Sequence, residues 1–152
     1  MSLPSTFSSL TGAWKGTKQL WLMPGAPAKT STAMATVSVA ASGKFLHVGY
    51  TWQEETLQQG ILIMGVEGDN KTVAATWIDS WHNGDRIMNC KGGLTAAGAF
   101  SVRANYPAPP GPDWGWRIEV EPVDAARWWL RMFNITPQGE EAKAVEIEFK
   151  RT

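Results

Sequence analysis

An antiparallel, all-β up-and-down barrel of about ten strands is the fold this chain predicts, and three observations carry it. Short stretches of alternating apolar and polar residues recur along the whole length, joined by turns rich in Gly, Pro and Asn. No stretch of helical period and useful length interrupts them, which disfavours a β-α-β scheme. Long alternating strands with one wet face tend to close, because closure removes their sticky edges. A two-sheet sandwich shares this periodicity and stays open as the alternative.

The elements follow in order. Residues 3–10, Leu-Pro-Ser-Thr-Phe-Ser-Ser-Leu, suit a short helical turn with Leu3, Phe7 and Leu10 on one side, a plug under the barrel floor. The first strand runs from Ala13 to Met23 and ends at the turn Pro24-Gly25-Ala26-Pro27. The second, Thr30 to Ala41, alternates Val37 and Val39 against Thr36 and Ser38, and Ser42-Gly43-Lys44 turns it into the third, Phe45 to Gln53. That third strand puts Leu46, Val48, Tyr50 and Trp52 on one face. The fourth, Gln59 to Glu67, ends at the hairpin turn Gly68-Asp69-Asn70-Lys71.

The fifth strand, Thr72 to Trp81, aligns Val73, Ala75, Trp77, Asp79 and Trp81 on one face, assigned to the interior. His82-Asn83-Gly84-Asp85 carries an Asn-Gly hairpin signal, and strand six follows from Arg86 to Gly92. Strand seven spans Ala99 to Tyr106. The prolines of 107–112 lack the donors a sheet needs, so this segment is a stiff rim loop and the best candidate for a lid. Strand eight, Trp114 to Glu121, sets Trp116, Ile118 and Val120 against Arg117, Glu119 and Glu121. Strand nine, Arg127 to Ile135, is apolar on both faces, and strand ten, Ala142 to Arg151, sets Val145, Ile147 and Phe149 against Glu146, Glu148 and Lys150.

Composition bounds the function. The 152 residues fit one domain, 1–152, large enough for a real core. Lys plus Arg and Asp plus Glu both number 14, giving zero net charge, so nothing global favours nucleic acid or an anionic membrane. Cys90 is the only cysteine, which excludes an internal disulfide and a multi-cysteine metal site. The stretch Met1 to Thr11 has neither the basic nor the apolar region of a secretory signal, and the longest apolar run, Ile61 to Met64, is far short of a membrane helix. The expected location is the cytoplasm. Nine tryptophans and six methionines stand beside only two histidines, and in a barrel such residues fill the core or line a pocket.

Gly12-Ala13-Trp14 on a first strand resembles the Gly-x-Trp signature of calycins, the group that holds lipocalins, fatty-acid-binding proteins and avidin-like barrels. The resemblance implies that Trp14 closes the floor beneath an arginine of the last strand, for which the counterpart here is Arg151. Its parity with Phe149 points it inward, and antiparallel closure on strand one would bring it toward Trp14, where a cation over an indole stabilises by ~0.5–2 kcal/mol. A charged tail residue in solvent is the alternative. The chain is also similar to a bacterial family known as domain of unknown function 1579. That likeness lies in the early Gly12-Ala13-Trp14-Lys15-Gly16 and the mid-chain Trp77-Ile78-Asp79-Ser80. It implies a lipocalin-like barrel and no agreed activity. Two departures from better-known relatives matter. The connector from Pro24 to Lys29 is too short for the helical lid of fatty-acid-binding proteins. Nitrobindins share the opening motif but hold haem through a late histidine, and no histidine follows His82. No cofactor is expected.

The expected function is reversible binding of a small, largely apolar molecule inside the barrel. Tyr50, Trp52, Met64, Trp77, Trp81, Met88, Tyr106, Trp116, Trp128 and Met132 would supply walls and mouth, with Asp79 as polar anchor. Asp79 must be paired or hydrogen-bonded inside, and a Trp N–H, a turn amide or an arginine could satisfy it instead of a ligand. Gly12, Trp14 and Arg151 form the floor. Asp79-Ser80-Trp81-His82 invites a hydrolase reading, but alternation puts Ser80 and His82 on one face and Asp79 on the other, with no nucleophile elbow, so His82 reads as a turn residue. An enzyme would have Asp79 as its sole acid or base. His47, His82, Asp79 and Cys90 show no metal-ligand spacing, and no metal is expected. Trp129 and Phe133 point outward in strand nine and suggest a homodimer contact. A barrel simply filled by its tryptophans is the third reading.

Overall fold

The computed structural model describes residues 3–152, and Met1 and Ser2, which begin the stretch read above for a secretory signal, lie outside them. Ten strands form one closed antiparallel barrel in the order β1-β10-β9-β8-β7-β6-β5-β4-β3-β2. They are β1 (Gly12–Leu20), β2 (Lys29–Ala40), β3 (Phe45–Gln53), β4 (Leu57–Val66) and β5 (Val73–Asp79), then β6 (Met88–Leu94), β7 (Phe100–Tyr106), β8 (Trp114–Asp124), β9 (Arg127–Ile135) and β10 (Glu141–Arg151). Each strand pairs with its sequence neighbour, and β1 closes on β10 with Trp14 opposite Arg151 and Leu20 opposite Val145. The sandwich alternative is thereby excluded. The alternating faces of β3, β8 and β10 turn inward as their sequences require, with Leu46, Val48, Ile118, Val120, Ile147 and Phe149 all buried.

The floor shows why the opening motif is built as it is. A short helix α1 (Ser5–Ser8) lies beneath the barrel, and its buried Phe7 stacks on Phe100 with ring centroids 3.6 Å apart. Trp14 plugs the ring and donates its indole N–H to Leu10 O at 2.8 Å. The Arg151 guanidinium sits 4.2 Å over the Trp14 ring. Its three nitrogens donate to Ala125 O, Thr11 O and Ser9 O at 2.9, 2.9 and 3.0 Å, so one residue ties the plug, the lead into the first strand and the β8–β9 turn. Gly12 makes this possible: its φ of +140° favours glycine, and a Cβ there would stand 2.5 Å from an Arg151 nitrogen. The arginine clamps the floor from its outer side, where it remains exposed.

Two strands differ from the alternation in ways that shape the site. The fifth ends at Asp79 rather than Trp81, and the sixth begins at Met88 rather than Arg86, so residues 80–87 form a longer loop at the mouth. On the outer face of β9, Trp129 and Phe133 are half-buried, with the Arg131 and Arg117 guanidinium groups 4.6 and 4.0 Å from their rings. Those arginines also pair with Glu119, Glu121, Glu141 and Glu146, a charged lattice over the outward aromatics.

Candidate functional site

The wall of the barrel opens between β6 and β7. These strands pair only from Lys91 opposite Arg103 to Leu94 opposite Phe100. Continuing that register toward the mouth would match Cys90 with Ala104, Asn89 with Asn105 and Met88 with Tyr106, and none of those pairs forms. A cavity of about 520 Å³ occupies the gap, with Met88, Asn89, Ala104 and Tyr106 on its two sides and Trp77 and Trp116 behind. It is an open slot in the side of the mouth, roughly the size expected for a small-molecule pocket.

The back of the slot is built by Asp79. At 1% exposed, its carboxylate accepts four hydrogen bonds. One oxygen takes the Tyr50 hydroxyl at 2.7 Å and the Trp52 indole N–H at 3.3 Å. The other takes the backbone N–H groups of Trp81 and His82 at 2.9 and 2.8 Å, capping a single turn as an Asp does at a helix start. This cap ends β5. Ser80 swings outward, donating to Gln58 Oε1 at 2.8 Å and accepting from Gln59 N at 3.0 Å. Trp77 donates its indole N–H to the Tyr50 hydroxyl at 2.8 Å. The motif Trp77-Ile78-Asp79-Ser80 is therefore a strand terminator with a polar bond at three of its four residues.

Gly60 lets the cluster form. It lies between Tyr50 and Asp79 in register, and a Cβ on it would sit 2.2 Å from the Tyr50 hydroxyl oxygen. The missing side chain is the space through which the phenol crosses β4 to reach the carboxylate.

The turn corrects two expectations. Trp81 does not continue the inward face but stands at the rim, 40% exposed. His82 is not an outward turn residue sharing a face with Ser80. Its ring lies among Trp52, Trp77, Trp81 and Trp116, at centroid distances of 5.8, 5.6, 4.7 and 5.5 Å. Once the strand stops at Asp79, two-residue parity no longer applies, and the capped turn rolls the imidazole inside. Burial, aided by the positive charge of Lys18, holds the His82 pKa down to about 3, so the ring is neutral. Burial pushes the Asp79 carboxyl up, but the bonds donated by His82 N, Tyr50 and Trp81 N outweigh it and leave the pKa below the usual range. Asp79 therefore meets the histidine through its backbone N–H, and Ser80 bonds elsewhere. No acid–imidazole–hydroxyl relay is assembled.

Of the other residues singled out from the sequence, Trp77, Met88, Tyr106 and Trp116 line the slot, and Tyr50, Trp52 and Asp79 stand behind it as one hydrogen-bonded cluster. Trp128 lies at the floor, edge-on to Trp14 and stacked on Phe149, while Met64 and Met132 are buried in the core. Pro107 of the proline-rich loop reaches the slot. His82, Asn83 and Arg86 line it without having been singled out as site residues.

Lys18 was also missed, although its parity with Trp14 on β1 was there to be read. It is 2% exposed, with its ammonium 3.0 Å from the Trp52 ring centroid. Burial lowers its pKa to about 7, against the raising pull of Asp79 and Glu54. Between pH 7 and the 10.5 of an ordinary lysine, the unfolded chain holds the proton and the folded one does not, so stability rises with pH across that window. Lys18→Met should remove this slope between pH 7 and 9 and stabilise the fold at pH 7 by ~1–3 kcal/mol, the relieved desolvation less the lost cation–π contact. Urea unfolding at both pH values checks it; an unchanged slope contradicts the assignment.

The family model described as "Protein of unknown function (DUF1579)" matches residues 5–151. The chain belongs to this family. A search of the curated proteins finds no match. The DUF1579 match spans both motifs, so in this member the early glycine–tryptophan pair builds the floor and Trp77-Ile78-Asp79-Ser80 builds the back of the slot. Among the described residues, no helix is long and apolar enough to cross a membrane, and no three His, Cys, Asp or Glu side chains gather in a metal-holding group.

Proposed function

We propose that this member of the DUF1579 family reversibly binds a small, largely apolar molecule in the slot between β6 and β7. The observation that carries the reading is the unpaired stretch of wall: two strands forgo backbone bonds to hold an aromatic-walled opening of about 520 Å³. A loss of ladder bonds destabilises a sheet unless something else occupies the gap. The lower barrel, by contrast, is packed with fully buried Trp14, Trp128, Leu62, Met64 and Phe149. The ligand therefore sits at the side of the mouth, above a filled core. Asp79 serves as the foundation of the wall, and its four protein donors favour this role over direct contact with ligand.

Titration with the neutral fluorophore N-phenyl-1-naphthylamine tests the reading. Its emission should rise on binding, and Ala104→Trp, which fills the slot from β7, should weaken binding at least about tenfold while thermal unfolding stays cooperative. A wild-type protein that leaves the fluorophore dark, or a variant that binds it equally well, would falsify the slot as the site.

A further inference from the structure

Charge is spread unevenly around the outside of the barrel. Lys29 and Asp79 are the only Asp, Glu, Lys or Arg residues in β2, β3, β4 and β5. Lys29 stands at the mouth, paired with Glu54, and Asp79 is buried inside. The outward positions of four consecutive strands therefore hold no such residue, and one histidine, His47. On the outer faces of β8, β9 and β10, by contrast, Arg117, Glu119, Glu121, Arg131, Glu146 and Glu148 all stand in ion pairs. In the strand order β4 and β9 lie five places apart in a ring of ten, so the two walls are on opposite sides.

The uncharged wall also leaves apolar side chains in the open. Met34, Phe45, Leu57, Ile63 and Ile78 are exposed on it, and half-buried Ile61 lies opposite Ile78 in register. Ile63 sits between His47 and Thr76. On the charged wall the outward Trp129 and Phe133 are instead roofed by the Arg131 and Arg117 guanidinium groups. An ordinary soluble surface mixes both signs of charge over roughly a quarter to a third of its residues. Depletion of charge together with exposed apolar groups is the mark of an interface core. The Thr and Ser hydroxyls and Gln side chains between the apolar residues suit a protein surface better than lipid.

We infer that the outer wall of β2–β5 is where two copies of this chain pair, around the cluster Ile61, Ile63 and Ile78. A two-fold axis sets a patch against itself, so a charge near the axis meets its own like. This wall has none to oppose, whereas pairing through β8–β10 would desolvate a lattice of ion pairs. The zero net charge of the chain leaves two copies without overall repulsion. Four strands ~4.8 Å apart and about 30 Å long offer roughly 600 Å² in projection, of the order of the ~800 Å² each partner gives to a standard interface. The slot opens between β6 and β7, outside the contact, so pairing does not depend on the ligand-binding reading.

Sedimentation velocity over a dilution series tests this. The wild-type protein should be a dimer at about 100 µM and dissociate within the micromolar range. Ile63→Glu puts a carboxylate on both sides of the axis. It should raise the dissociation constant at least about tenfold, with thermal unfolding still cooperative and fluorophore binding unchanged. Ile78→Glu should act in the same direction and decides if Ile63→Glu does not fold. Trp129→Ser, on the opposite wall, should leave the dimer intact. A wild-type monomer at about 100 µM overturns the inference. So does a dimer that survives both glutamates or that yields to Trp129→Ser. A monomer that sediments with phosphatidylcholine vesicles also overturns it and gives the wall to lipid.

Discussion

Asp79→Ala should be the most damaging single substitution at the mouth, lowering stability by about 3–5 kcal/mol. The loss exceeds that of one ordinary hydrogen bond because four donors lose their acceptor at once: the Tyr50 hydroxyl, the Trp52 indole and the backbone N–H groups of Trp81 and His82. Tyr50 would still receive Trp77 Nε1–H, but its own proton would have nowhere to go. The turn that brings His82 inside would also lose its cap. Asp79→Asn should fall between the two, since an amide offers one acceptor oxygen and sets an NH2 group against the remaining donors.

Acid should reproduce part of this effect. The Asp79 pKa lies below the ordinary carboxylate value, so its contribution is complete above about pH 4 and fades as pH falls through its folded-state pKa. His82 acts in the same direction from a higher starting point. Its folded pKa is about 3 against 6.5 for a free imidazole, so from pH 6.5 downward the unfolded chain gains a proton the folded one refuses, and stability declines. Chemical unfolding of wild type and of Asp79→Ala checks both parts, the His82 decline between pH 6.5 and pH 4 and the Asp79 loss from about pH 4 downward. A loss below about 1 kcal/mol at pH 7 would mean that the carboxylate organises nothing.

The second large effect is expected at the opposite end. Trp14→Ala should cost about 3–5 kcal/mol, a fall in Tm on the order of 10 °C, by opening a cavity between Trp128 and the plug. Arg151→Lys keeps the charge and loses the fork that reaches Ser9, Thr11 and Ala125 together, so it should cost a smaller ~1–2 kcal/mol. Differential scanning calorimetry of the two variants measures this. Equal, near-zero effects would show the floor to be dispensable. Neither variant should change affinity in the slot, because Trp14 and Arg151 lie at the other end of the barrel.

The floor and the slot were not equally legible in the sequence. A strict two-residue alternation needs no long-range information, and it placed Leu46 to Trp52, Trp116 to Val120 and Val145 to Phe149 on their correct faces. The Trp14–Arg151 contact was implied by the resemblance to calycins, and closure and parity agreed with it. The inward position of Asp79 was equally plain, and its satisfaction by an indole and turn amides was one of the options its burial demanded. Parity failed one residue later, because the side chain of Asp79 itself ends the strand, and pattern extended past that point put Trp81 inside and His82 outside. Lys18 sat on the inward face of β1 in plain view, but a charged residue there contradicts composition-based expectation until a facing Trp52 ring is known. The opening between β6 and β7 had no local signal. Met88-Asn89-Cys90 and Ala104-Asn105-Tyr106 read as ordinary strand, and whether two strands touch is a property of the pair.

Where the fluorophore lies is the most direct test of all this. In ¹⁵N-labelled protein titrated with N-phenyl-1-naphthylamine, the Trp77 and Trp116 indole N–H signals and those along 88–90 and 104–106 should shift, with the Trp14 and Trp128 indoles unmoved. Shifts centred on Trp14 and Trp128, with the β6–β7 signals unchanged, would contradict it.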